Sequence, residues 1–448
     1  MKTELASVLT TLCFLTASAL EAPSAWEEWS TIQKSDSAVE AGDSTLGDRL
    51  LRGSGQAEPH TADDSAVASS NDEEHAYRTD HFRGPWSHEP VCTDYLDTLG
   101  DQLCVYTDAT FGNGRGISIF TTPGIAQEFA SLLPFQDPSA LSSHGINPPE
   151  DSNADANRPW YTTSIPGKGM GMLASRALQR GDLVTAYTPY LLAHMENVLS
   201  TSERERFLRV AVDQLPPASR DQYLGLAKIY GEPSVVVQDV VKANAFEMQV
   251  AGQMHLAVFP EASRMNHACA PNAQYYLSPG FLTHFVHAVR PIAQDEEITI
   301  SYAPPLRLYA DRQSYLQSTF QFTCTCPRCT HSAHRPLEDS DKATEDMIAL
   351  QWALSQWTHN STASVKKAEM LVGLYIQEGL DAFLDDAYGH AALTYNAAGS
   401  ANGAKKYAKL AAGATRLKYG PEAEAAREWD RIGKDPTMHS SWRRRKTG

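Results

Sequence analysis

Long apolar runs are missing from this 448-residue chain. The best of them, between Leu5 and Leu15, falls short of the ~20 residues a helix needs to cross a bilayer, which excludes a membrane span. Basic residues are also in deficit, 38 Lys and Arg against 54 Asp and Glu, for a formal net charge of −16. That balance argues against a nucleic-acid binder held by its own phosphate contacts, and it suits a basic peptide better. Cysteine is scarce, seven residues in all, and large apolar residues are few between Glu21 and Glu89. What remains has 42% hydrophobic content and is long enough for two or three domains with cores of their own.

The N-terminus joins a basic start at Lys2, the apolar stretch from Leu5 to Leu15 and the small residues Ala17-Ser18-Ala19. This order predicts a signal peptide over residues 1–19 and hence the secretory pathway; a buried helix in a nuclear or cytoplasmic protein is the alternative. Residues 20–90 are rich in Ser, Ala, Asp, Glu and Gly. They bury too little surface to offset ordering entropy, so disorder is expected there. Within them Arg49-Leu50-Leu51-Arg52, followed by Asp72-Glu73-Glu74, resembles the Arg-x-Leu-Arg and acidic elements of oomycete secreted effectors, or is a plain basic spot in a linker. Order is expected from Val91, in an N-terminal extension over 91–160 whose part from 127 onward, rich in Pro, Ser, Asp and Asn, reads as a linker. Cys92 and Cys104 would pair in an oxidising compartment and stay free thiols in a reducing one. The sequon Asn360-Ser361-Thr362 matters only for a secreted chain.

The chemistry gathers around Arg264-Met265-Asn266-His267-Ala268-Cys269-Ala270-Pro271-Asn272. Asn favours turns and Pro cannot donate to a ladder, so the segment makes poor helix and poor strand. Its value lies in its side chains. Upstream, Gly167-Lys168-Gly169-Met170-Gly171-Met172 opens a strand-like run, and further short strands are expected at 172–175 and 183–187 around the turn Arg180-Gly181-Asp182. From 202 to 239 the pattern is helical, with Phe207, Val210, Ala211 and Leu215 on one face. Strands return from 286 to 300 around the turn Gln294-Asp295-Glu296, and end in Ile300-Ser301-Tyr302. After Cys329 the chain reads as helical, and Ala392, Tyr395, Gly399, Ala404, Tyr407 and Ala411 follow the spacing of a tetratricopeptide-like helix pair.

Cys324, Cys326 and Cys329 supply three thiols, one short of a tetrahedral zinc site. With Cys13, Cys92 and Cys104 set aside, Cys269 is the cysteine left to complete the set; three free thiols or a disulfide are the alternatives. A four-thiolate site would pin the C-terminal loop over Asn266 and His267.

In this order the pieces resemble the SET domain of protein lysine methyltransferases. The branch is that of the SET-and-MYND proteins and their fungal-type relatives without a MYND finger, and the resemblance covers about residues 161–329. It implies an α+β fold: a SET-type β-rich core of short strands over 161–303 with a helical insert at about 200–245, a post-SET zinc loop over 304–332, and an all-α tetratricopeptide-like C-terminal domain over 340–436. It also implies S-adenosyl-L-methionine and zinc as cofactors and transfer of methyl groups to a lysine amine of a protein substrate, histone or not. A monomer without nucleic-acid or membrane partners is expected.

The resemblance assigns the main chain of Lys168, Gly169 and Met170 to the methionine part of the cofactor, where a Cβ at Gly169 or Gly171 would collide with a ligand. Asn244, Ser263, Asn266 and His267 become further cofactor contacts, Phe322 a ring stacked on adenine or packed in the core, and Tyr302 the catalytic tyrosine that orients the amine. Three features depart from the pattern: Ala268 stands where Ser is usual, Met170 where a larger or basic residue is frequent, and no MYND cysteine–histidine cluster occurs. Two further readings stand beside the enzyme: a catalytically silent SET module that binds, and a secreted effector that methylates foreign proteins.

Overall fold

Residues 84–148, 158–330, 336–357 and 361–445 are described by the computed structural model of the chain. The expected signal peptide, the motif at 49–52 and Asn360 lie outside them. Order starts ahead of Val91, because Trp86 is buried against Tyr106 and Phe135, with ring centroids 5.3 and 5.6 Å apart.

Short strands build four sheets among the described residues. The N-terminal ones are β1 (Val91–Cys92), β2 (Cys104–Asp108) and β3 (Ile117–Thr121). Then come β4 (Trp160–Ile165), β5 (Gly169–Ala174), β6 (Leu183–Tyr187) and β7 (Leu191–His194). The insert leads to β8 (Ala245–Val250) and β9 (Gln253–Val258), followed by β10 (Asn266–His267), β11 (Ala273–Ser278), β12 (Thr283–Ala288) and β13 (Thr299–Ile300). One sheet runs β1-β2-β3-β7-β9-β8, a second β11-β12-β6, and β4 pairs with β5 as a hairpin. Cys92 and Cys104 face one another across β1 and β2 and are joined as a disulfide. Gly167 and Gly169, at φ 76° and 74°, make the β4–β5 turn, a region of backbone space that favours glycine.

The segment read as a linker is folded in its first part. Helix α1 (Pro123–Ala130), capped by Thr122, and the helical turns after it bury Phe129, Leu141 and Ile146 in the main core. Its Pro and Ser residues start and cap helices rather than loosen the chain. The insert is broken into α2 (Thr201–Asp213), α3 (Pro217–Leu224) and α4 (Val236–Asn244). Ser200 and Glu203 form a capping box on α2, and Pro216-Pro217 ends the run that follows it. Phe207, Ala211 and Leu215 are buried as their spacing requires, with Val210 at the margin. The expected zinc loop contains a helix, α5 (Tyr309–Phe320), whose Arg312 and Leu316, four apart, are its buried residues.

The C-terminal region is helical: α6 (Leu337–Ser355), α7 (Val365–Gln377), α8 (Leu384–Ala397), α9 (Ala401–Tyr419) and α10 (Glu424–Lys434). No helix among the described residues is long and apolar enough to cross a membrane. The small-and-aromatic pattern packs α8 on α9: Ala392, Ala404 and Ala411 are fully buried, and Tyr395 stacks on Tyr407 at 5.4 Å. A Cβ at Gly403 would lie 2.0 Å from the Tyr395 ring. Gly403→Ala is therefore expected to lower stability by about 1–3 kcal/mol despite alanine's better helix propensity, as read by chemical denaturation.

This region is fastened to the cysteine loop. Arg328, fully buried, meets the Glu378 carboxylate at 3.1 Å, the Thr344 hydroxyl at 2.9 Å and the Pro305 carbonyl at 2.7 Å. A buried pair survives only when its remaining donors and acceptors are satisfied, and here three segments supply the partners.

Candidate functional site

The segment 264–272 folds as the sequence demands. Its strand β10 is two residues long and runs parallel to β13, Asn266 opposite Thr299 and His267 opposite Ile300. Asn272 locks the pair from below: its Oδ1 accepts the Thr299 N–H at 2.9 Å, and its Nδ2 donates to the Glu297 carbonyl at 2.8 Å. Sequence reasoning named Asn272 without giving it a role; an amide after Pro in a buried turn is the signal that was there.

His267 is buried, which pushes its imidazole down to about 4 and keeps it neutral. Its Nδ1 accepts the Tyr302 N–H at 2.9 Å, so the ring proton sits on Nε2, 3.2 Å from the Cys269 sulfur. One side chain thus joins the backbone of Tyr302 to the cysteine cluster.

Cys269, Cys324, Cys326 and Cys329 are buried, free of disulfides, and offer sulfur atoms that all lie within 4.8 Å of one another. Cys269 Sγ is 3.5 Å from Cys329 Sγ and 3.9 Å from Cys324 Sγ. A tetrahedron with Zn–S bonds of ~2.3 Å has edges of ~3.8 Å, so the donor set fits zinc. Around it, the Cys269 and Cys326 N–H groups point at the sulfurs of Cys326 and Cys324 at 3.4 and 3.5 Å. Arg312, almost wholly buried, places a guanidinium nitrogen 3.8 Å from Cys329 Sγ. Such outer partners offset thiolate charge and orient ligands.

Beside the cluster lies a cavity of about 310 Å³. Asn244, Ser263 and Tyr302 reach it from three parts of the sequence, and Phe246, Tyr275, Tyr315 and Phe320 complete an aromatic wall. The hydrogen-bond accounts of the polar groups agree. Asn244 spends both amide hydrogens on the Ala227 and Val240 carbonyls, at 2.9 and 2.7 Å. Ser263 donates to the Phe259 carbonyl at 2.9 Å, and Tyr302 donates its hydroxyl proton to the Met265 carbonyl at 2.6 Å. With donors engaged, each has an acceptor left to offer. Burial and the Glu297 carboxylate push the Tyr302 phenol above its usual range, so it stays protonated at neutral pH. Acceptors amid aromatic rings suit an amine or an alkylammonium group.

Lys168, Gly169 and Met170 lie exposed at the β4–β5 turn, outside the residues that line the cavity. A Cβ at Gly169 would meet nothing within 4 Å, so the turn is open there. Gly171 differs from the expectation: its Cβ would meet Ile165 at 2.1 Å and the Asn266 amide at 2.9 Å, so protein atoms rather than a ligand require this glycine. Phe322 is partly buried, 6.1 Å from the His267 ring and 6.4 Å, edge-on, from Tyr302. Of the expected residues, Asn244, Ser263 and Tyr302 line the cavity, His267 and Phe322 lie beside Tyr302, and Lys168 and Asn266 meet at Glu297, outside the cavity lining. Sequence reasoning missed the aromatic wall and the side-chain role of Glu297.

Residues 169–303 match the SET domain family. The chain is 30% identical over 185 residues to the histone-lysine N-methyltransferase set5 of Schizosaccharomyces pombe, covering 40% of this chain and 52% of that one. It is 36% identical over 118 residues to the N-lysine methyltransferase SMYD2 of Homo sapiens, covering 26% of this chain and 25% of that one. A third relative is the SET domain-containing protein SmydA-8, isoform A, of Drosophila melanogaster, 37% identical over 94 residues and matched over 20% of each chain. The chain thus spans about half the length of the first relative and a quarter of the second. Residues 169–303 thus match the SET domain, and the chain is similar to the set5 and SMYD2 lysine methyltransferases.

Proposed function

We propose that the protein is an S-adenosylmethionine-dependent methyltransferase acting on a lysine side chain of a protein substrate. The observation that carries this is the aromatic cavity whose Asn244, Ser263 and Tyr302 have their donors engaged and acceptors left for an amine. Its place in a SET domain related to lysine methyltransferases supports the reading. Lys168–Met170, Asn244, Ser263, Asn266, His267 and Phe322 would hold the cofactor, which would supply a methyl group on a sulfonium. A neutral amine would attack that carbon in line, the N–C bond forming as the C–S bond breaks and a neutral thioether leaves. Tyr302 holds that amine through its hydroxyl oxygen, and the protonated amine product releases one proton to solvent. The four cysteines hold zinc and with it the loop that carries Phe322.

Incubation of the purified protein with labelled S-adenosylmethionine and a proteome extract, followed by mass spectrometry, should place label on lysines of protein substrates. Tight cofactor binding without any label on lysine would replace this reading with the silent module. One observation favours a second setting for the same chemistry. The Cys92–Cys104 disulfide agrees with the N-terminal expectation of export, and so supports a secreted methyltransferase acting outside the cell that makes it.

A further inference from the structure

We propose that Glu297 is a positioning residue for the cofactor, tying Asn266 and Lys168 into one unit. The inference rests on the reading of those two residues as cofactor contacts. The carboxylate is forked: Oε1 accepts the Asn266 amide Nδ2 at 2.9 Å, and Oε2 meets the Lys168 ammonium at 2.6 Å. Its backbone stands just ahead of β13 and bridges Leu173 of β5, so one residue reaches the exposed turn on one side and β10 on the other.

Each arm has a chemical consequence. A carboxylate has no proton to give, so the side of the Asn266 amide that faces it must be the NH₂ group. The Asn266 Oδ1 is thereby fixed as an acceptor, the group that suits the ammonium of a bound amino-acid moiety. The second arm restrains a long side chain on a turn made by two glycines of positive φ, Gly167 and Gly169. An exposed ion pair alone contributes little. Here the more buried carboxylate, 20% exposed against 34% for Lys168, also holds the amide of Asn266, the other residue read as a cofactor contact.

Glu297→Gln keeps the size of the side chain but gives it a donor that faces either the amide or the ammonium. Calorimetry with S-adenosylmethionine should show binding about tenfold weaker than wild type, the scale of one hydrogen bond to a charged group. The KM for cofactor should rise in step, with kcat at saturating cofactor, zinc content and the thermal midpoint near wild type. Lys168→Met, on the exposed turn, should weaken binding about threefold alone and not at all in the Glu297→Gln background, since both changes break the same unit. That coupling also serves as the test if Glu297→Gln folds poorly, through the paired variants Lys168→Met and Glu297→Asp. Equal cofactor affinity in wild type and Glu297→Gln overturns this inference alone. Absence of cofactor binding by wild type overturns the methyltransferase reading and this inference with it.

Discussion

Replacing Tyr302 by Phe should slow methyl transfer about 100-fold while cofactor affinity stays near wild type, a loss of ~2.7 kcal/mol in the transition state. The proposed function gives the hydroxyl two jobs. Its proton goes to the Met265 carbonyl, which fixes the oxygen, and its lone pairs are then free to hold the amine. It cannot serve as a base. Burial and Glu297 push the phenol further above a range that starts near pH ~10. The benefit is therefore orientation of an amine that has already lost its proton, and only interactions that strengthen in the transition state raise the rate. The substitution has a second effect. Met265 is buried, and its carbonyl loses a donor, so the variant should also be less stable by ~1–3 kcal/mol. Methyl transfer by scintillation, cofactor binding by calorimetry and denaturant unfolding on one preparation separate the two effects. A preserved rate with a changed number of methyl groups would assign the hydroxyl to the space of the cavity. An unchanged rate and product would remove Tyr302 from the mechanism.

Cys269→Ser should lower zinc content from about one ion per chain and weaken cofactor binding at the same time. The other three cysteines lie within six residues of one another, whereas Cys269 belongs to the segment that follows β10. In a four-cysteine zinc site it would be the ligand that joins the loop to the segment around His267. Its sulfur also faces the Nε2 proton of His267, whose other nitrogen holds the Tyr302 backbone, so its loss reaches both sides of the cavity. Removal of an outer partner lowers metal affinity 10–100-fold, and removal of a ligand should exceed about 100-fold. Chelator competition and elemental analysis measure it. Full zinc occupancy in this variant would refute the four-cysteine site. Normal cofactor affinity after zinc loss would refute the coupling.

Short-range features were legible in the sequence, because their signal sits within a few residues. The Cys-x-Cys-x-x-Cys spacing, the strand at 183–187 and the glycine turn before β5 each depend on neighbours in the chain, and each stands where local chemistry put it. The α8–α9 pair was legible for the same reason, since small residues at helical spacing permit close approach whatever packs elsewhere. Composition misled at 127–148, where Pro and Ser suggested a linker. The apolar residues that fold it, Phe129, Leu141 and Ile146, find their partners in strands far along the sequence. The sequence also left Cys92 and Cys104 open, because pairing needs the register of β1 on β2.

The site's chemistry was decided by tertiary structure. Residue types alone made Asn244, Ser263 and Tyr302 equally donors or acceptors. The Val240 and Phe259 carbonyls lie four residues back along the chain, and the fold adds those of Ala227 and Met265; together they consume the donors and leave an acceptor pocket. Likewise Glu297 reads as one acid after a turn until the fold lays the segment before β13 between β10 and β5, where one carboxylate reaches two cofactor-binding candidates. Spacing along the chain determines which residues are near one another in a motif; the hydrogen-bond partner of each group is set by what the fold places within 3 Å, and that partner decides what the group has left to offer a ligand.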